Sequence, residues 1–234
     1  MIMIPDDAVE RLMDSALAIG AECEKANVQQ WEIYANQGYG HSMEIEAGRI
    51  SMASGGGDGG FGIRIVEDGR YGYAHLVDIN SASRAIEQAL SIAKRSPSIE
   101  GFELPGNKSA TEVGGMKDKA ILEMTPEDLL EQGDQVLTKV TELDSRAVAV
   151  GGGIGVGAGA GALVTSSGIE YGGVFTSHGI GIHVSIDEND QLTSSYEGES
   201  SRKILNDITS SVEKAVHWAQ VTREKIPGGD TEDC

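Results

Sequence analysis

Positive charge is scarce in this sequence. Only 18 lysines and arginines stand against 37 aspartates and glutamates, so the formal charge is −19, spread along the chain with no isolated acidic tail. A nucleic acid duplex or an anionic membrane would be repelled by such a surface, so direct nucleic-acid and membrane binding are excluded as expectations. Cysteine is nearly missing: Cys23 and Cys234 cannot build a disulfide framework, and a reducing compartment is the natural reading. No run of about 18 apolar residues occurs anywhere. The opening "MIMIPDDAVERLMDSALA" carries acid where a signal peptide carries positive charge. A soluble, cytoplasmic protein is expected. Aromatic residues make up only 5% of the chain while glycine reaches 32 residues, a combination that suggests many turns and flat strands.

Several chemistries lack their motifs. The five histidines, His41, His75, His178, His183 and His217, never form H-E-x-x-H and never stand at zinc spacing from a cysteine. His178 and His183 are five apart in strand-like sequence, which puts them on opposite faces; His75 and His183 read as surface or cavity-lining residues. No serine sits in G-x-S-x-G between a strand and a helix, and the serines of "VTSSG" and "TSHG" read as turn formers. The carboxylate pairs Glu44/Glu46 and Glu197/Glu199 each share a strand face, where solvated pairs are common. In the run "VAVGGGIGVGAGAGALVTSSG", residues 148–168, Gly153, Gly155 and Ala158 fit a loose G-x-G-x-x-A pattern. A dinucleotide loop must open a helix whose amides face the pyrophosphate, but a turn at Ser166 to Gly168 and β-type residues follow here. The glycines therefore shape backbone and do not cradle phosphate, and they are expected in edge-prone strands.

What is present is hydrophobic periodicity. Pro5, Asp6 and Asp7 open a helix that runs to about Asn27, with Val9, Leu12, Met13, Ala16 and Leu17 at helical spacing. From Trp31 to Val77 the period is two, with Met43 and Ile45 opposite Ser42, Glu44 and Glu46, and likewise Phe61, Ile63 and Ile65 opposite Arg64, in strands joined by "AGR", "GGGDGG" and "EDGR". A second helix follows Asn80. Residues 96–123 have no clear period and read as a connector. Thr125 then caps a third helix with Pro126 in its first turn. Strands return from Ala147 to about Tyr196, with Ile180, Ile182, Val184 and Ile186 facing one way. A last helix is expected over "SSRKILNDITSSVEKAVHWAQ". The fold class is α+β: antiparallel sheets flanked by amphipathic helices, with a helix-strands-helix plan that looks duplicated. The expected units are 1–96, a connector 97–124, a second unit 125–226 and a tail 227–234.

Taken in order, these segments resemble the N-terminal domain of the TldD/PmbA family. The resemblance is carried by "EAGRISMASGGGDGGFGIRIVEDGRYGYAHLVDINSASRAIEQALSIAKRS", by "VTSSGIEYGG" and by "REKIPGG". It implies cytoplasmic proteins of roughly twice this length, on two-domain size reasoning. They were named modulators of DNA gyrase and are regarded as zinc metallopeptidases acting on unfolded or leader peptides. The resemblance places the zinc motif, H-E-x-x-x-H with a later cysteine, in the second domain of the TldD type; the PmbA type lacks the full set and pairs with a TldD partner. Neither motif occurs in this sequence, so no catalytic or metal residue is assigned and zinc is expected only in a second domain or partner. The implied function is the non-catalytic, peptide-binding and assembly half of a peptidase subunit. Its implied partners are unfolded or leader peptide and a TldD/PmbA-type subunit, or a second copy in a two-fold homodimer. No substrate-binding residue is assigned, though the glycine-rich stretch 151–162 is expected to offer a sheet edge to an extended peptide. The alternative is an acidic interaction protein that modulates a DNA-handling enzyme such as gyrase.

Overall fold

Helix α1 (Ala8–Lys25) buries Ala8, Leu12, Ala16, Ile19 and Cys23 along one stripe. Helix α4 (Pro126–Leu143) starts on a capping box: the Thr125 hydroxyl accepts from the Asp128 amide at 3.3 Å, and the Asp128 carboxylate accepts from the Thr125 amide at 2.8 Å. That exchange satisfies two amides that would otherwise have no intrahelical partner. Strand β1 (Gln30–Glu46) turns into β2 (Arg49–Glu67) through Ala47 and Gly48 at φ 51° and 76°, and β2 turns into β3 (Arg70–Leu76) through Asp68 and Gly69 at φ 50° and 72°. Two positive φ values in a two-residue loop suit the right-handed twist of the flanking strands. A 3-10 turn (Ile79–Ser81) leads into α2 (Ala82–Ala93), the short α3 (Lys119–Glu123) precedes α4, and β4 (Ala147–Thr165), β5 (Glu170–Glu188), β6 (Gln191–Ser201) and α5 (Ser210–Val221) complete the order.

In the computed structural model, which describes residues 4–106, 113–188 and 191–222, the strands make one antiparallel sheet in the order β3-β2-β1-β4-β5-β6. The first strand of each triplet is central: β1 pairs with β4 from Glu32↔Thr165 to Glu46↔Gly151. The helices pack on one face in two apolar clusters. In one, α1 and α2 cover Ile33, Ala35, Ile63, Ile65 and Val164; in the other, α3, α4 and α5 cover Met43, Ile154, Ile180, Ile182, Val184 and Ile186. Close approach sets two glycines: a methyl at Gly20 of α1 would run into the Trp31 indole, and one at Gly72 of β3 into the Ala89 carbonyl of α2.

Several local expectations are corrected. "GGGDGG" joins nothing; residues 55–60 lie inside β2, because β1 pairs with it along its whole length. Ser177 of "TSHG" lies within β5 and forms no turn. The stretch 151–162 is not an edge, since β4 is paired with β1 on one side and β5 on the other. The 96–123 stretch contains α3, capped by the Asp118 carboxylate at the Ala120 amide. The last helix begins at Ser210, and β6 runs on to Ser201; Ile204 and Leu205 precede the helix and pack against the core from irregular backbone. "REKIPGG", the tail and Cys234 lie outside the described residues.

Candidate functional site

The site is built from strand parity. In β4 the side chains of Ile154, Val156, Ala158, Ala160 and Ala162 are buried under the helices. Their alternates, Gly153, Gly155, Gly157, Gly159 and Gly161, therefore point to the other face of the sheet, which no helix among the described residues covers. Ser42 and Ser54, with hydroxyls 2.9 Å apart, and Ser177 border a shallow glycine-floored trough of about 560 Å³ there. Beside it, where residues 113–117 cross the same face, lies a second cavity of about 670 Å³ between Tyr34, Tyr171 and Phe175. Sequence reasoning missed these rings. The signal was glycine at every second position opposite a buried stripe, which marks a face open to close approach.

The sheet is also stepped. Partner β3 begins only opposite Phe61 of β2, so β2 extends past it from residue 49 to 60 with one side open. Partner β6 likewise begins opposite His178 of β5, leaving residues 170–177 beyond it. On β5 the step is partly filled, because the Thr176 amide donates to the Met116 carbonyl at 2.9 Å. Among the described residues no backbone is bonded along the matching step of β2, and residues 51–59 are exposed.

Buried polar groups hold this architecture. Thr176, fully buried, donates its hydroxyl to the Arg202 carbonyl at 2.7 Å and accepts from the Asp118 amide at 2.9 Å. The Asp118 carboxylate accepts from the Ile204 and Ala120 amides, which hold its pKa below the usual carboxylate range. His178 is fully buried, and its Nδ1 accepts from the Leu205 amide at 3.0 Å. The proton is thus on Nε2, which donates to Gln132 Oε1 at 3.1 Å; burial pushes the pKa of the ring down. Asp144 is gripped by the Arg146 guanidinium at 2.7 Å and by the Gln220 amide, and these partners hold its carboxyl far below the ordinary value.

The structure keeps the other sequence candidates apart. His178 faces the core and His183 faces outward; His75 is exposed on β3, and His41 packs edge-on to Tyr39 with ring centroids 5.9 Å apart. Glu44, Glu46 and Glu199 are exposed on their strands, and none of them lines either cavity. Gly153, Gly155 and Ala158 lie within β4, with no helix opening after them. Among the described residues no three His, Cys, Asp or Glu side chains gather as a group that could hold a metal ion.

Residues 31–93, the stretch from β1 to α2, match the model of PmbA/TldA metallopeptidase domain 1. That stretch, and not the whole chain, is similar to a PmbA/TldA-type first domain. The described chain as a whole shares the fold of three solved structures. It is similar to TldE from Thermococcus kodakarensis, with 23% identity and a TM-score of 0.72 over 88% of this chain and 47% of that one. It is similar to a proposed DNA gyrase modulator from Bacteroides thetaiotaomicron, with 18% identity and a TM-score of 0.73 over 92% of this chain and 50% of that one. A third likeness is to a proposed DNA gyrase modulator from Thermotoga maritima, with 13% identity and a TM-score of 0.71, over 92% and 50%. This chain thus spans about half the length of these structures. No curated protein sequence matches it. Among the described residues no helix is long and apolar enough to cross a membrane.

Proposed function

We propose that this chain is the peptide-binding and assembly half of a TldD/PmbA-type metallopeptidase subunit in the cytoplasm, and that it receives unfolded or leader peptide along the open edge of β2. The observation behind the reading is the step at residues 49–60. Glu67 and Arg70 close a two-residue hairpin and so exchange both backbone bonds. Backbone groups of odd-numbered residues in β2 then turn toward β3, and beyond its end those of residues 53, 55, 57 and 59 turn toward solvent. An extended peptide pairing there gains main-chain hydrogen bonds with little demand on its sequence. The molecule supplies its own precedent, since Thr176 stands two residues before the β6 ladder as Gly59 stands two before the β3 ladder, and Thr176 takes the Met116 backbone at that place.

Hydrogen exchange with and without a reduced, alkylated polypeptide tests this. The amides of residues 53–59 are expected to slow about tenfold or more in its presence, while the doubly paired β4 stays unchanged. Ala53→Pro removes one outward amide and no ladder bond, and it is expected to weaken binding about tenfold. Polypeptide that binds while residues 53–59 exchange at their free rate refutes the reading. The charge of −19 also fits an acidic partner of a DNA-handling enzyme, but no feature of the fold favours that use.

A further inference from the structure

The cavity under residues 113–117 is more enclosed than the serine-bordered trough beside it. Gly161 of β4 and Gly173 of β5 are direct cross-strand partners, so two adjacent positions on that face have no side chain. The pairs on either side carry rings: Tyr171 opposite Leu163, and Phe175 opposite Gly159. Tyr34 leans in from β1, so that a methyl at Gly161 would meet its hydroxyl at 3.5 Å. A methyl at Gly173 would meet only the Tyr171 hydroxyl, at 3.9 Å, which leaves the gap between the rings open. The Phe175 wall is held by the Arg202 guanidinium, 5.3 Å from the ring centroid. The outer wall is tied down at Thr176, which bonds Met116 through its amide and Asp118 through its hydroxyl.

Charge narrows the ligand. Acids outnumber bases 37 to 18 in the chain, yet among the described residues the lining of this cavity contains no carboxylate and one cation, Lys117. Its volume of about 670 Å³ falls in the range of small-ligand sites. We propose that the slot binds the C-terminal residue of a peptide, with a bulky apolar or aromatic side chain in the glycine gap and the free carboxylate at Lys117. Rings flanking a flat floor favour an aromatic occupant, and a lysine in an otherwise neutral lining favours a carboxylate. The class of ligand rests on the peptide reading above; the cavity does not.

Calorimetric titration with N-acetyl-phenylalanine, its amide and N-acetyl-alanine is the test. The aromatic acid is expected to bind about tenfold tighter than either of the others. Gly173→Val fills the gap at a position with room for it and suits a strand, so it should weaken binding at least about tenfold with an unchanged unfolding midpoint. In Lys117→Met the acid and the amide should bind alike. No binding of the acid at about 10 mM, or binding indifferent to Gly173→Val, overturns the proposal. If the acid binds as expected but an unfolded polypeptide leaves the β2 edge unprotected, the edge reading fails and the slot stands. If the edge is protected and the acid does not bind, the slot fails alone.

Discussion

His178 shows how a single buried polar side chain carries a pH response. The bond that Nδ1 accepts from the Leu205 amide needs the neutral ring, whose Nε2 donates to Gln132, and burial depresses its pKa. A histidine whose folded pKa lies below its unfolded value contributes stability in full above about pH 6.5 and loses it as pH falls toward the folded value. Urea midpoints measured from about pH 8 down to about pH 5 should therefore fall, and in His178→Gln that fall should vanish whatever the starting stability of the variant. Asp144 acts in a separate window: its depressed carboxyl contributes stability above its unfolded pKa of about 4, which is lost only at more acidic pH. A wild-type midpoint flat across the upper window would show that the ring is not held neutral. Sequence alone placed His178 and His183 on opposite faces, but nothing near His178 in the chain announces Gln132 or Leu205, which stand 46 and 27 residues away.

Strand β4 shows the same glycine residue type under opposite constraints within one element. At Gly152, φ is +140° and a methyl would strike the Gly181 carbonyl; at Gly155 the nearest atom is the His41 carbonyl oxygen at 3.8 Å, an ordinary contact. Gly155→Ala is expected to change stability by no more than about 0.5 kcal/mol. Gly152→Ala combines backbone strain with overpacking and should cost about 1–3 kcal/mol or more. Urea unfolding of the two variants side by side checks this, and equal losses would show that the run is uniformly tight. The period-two glycines were readable, yet the tight fit at Gly152 was not, because it follows a bulge between Ala149 and Gly151 and faces the Gly181 carbonyl of β5.

At the scale of the molecule, the described residues form a six-stranded sheet with helices on one face and, among those residues, no helix on the glycine-rich second face. Tyr34 and Tyr171 on that face are 47% and 38% exposed, more than a covered sheet would leave them. The solved relatives are about twice as long as this chain, so their remaining halves have room to lie elsewhere or upon it. For the chain by itself the expected outcome is self-association as a two-fold dimer, since closed symmetry buries one patch twice. Light scattering at micromolar concentration should report the dimer in moderate salt and a weaker one in low salt, where the −19 charge is unscreened. A strict monomer whose open-edge amides resist exchange would show that nothing on this half needs cover.

Local order was legible from residue spacing. The stripe of α1, the Thr125 cap, the "AGR" and "EDGR" hairpins and the alternation of Ile180 to Ile186 all follow from interactions within a few residues, which the chain carries wherever it folds. The edge of the sheet did not follow, because β1 and β4 meet across more than a hundred residues and their pairing turns the 151–162 stretch into the centre. The start of the last helix failed for a related reason. Ile204, Leu205 and Ile208 keep helical spacing, but Asp118 and His178 capture the amides of Ile204 and Leu205 and hold that segment in irregular backbone. The aromatic slot and the open step of β2 arise the same way, from strands of unequal length laid side by side, because hydrogen bonds between distant segments decide which backbone is covered and which is left to bind.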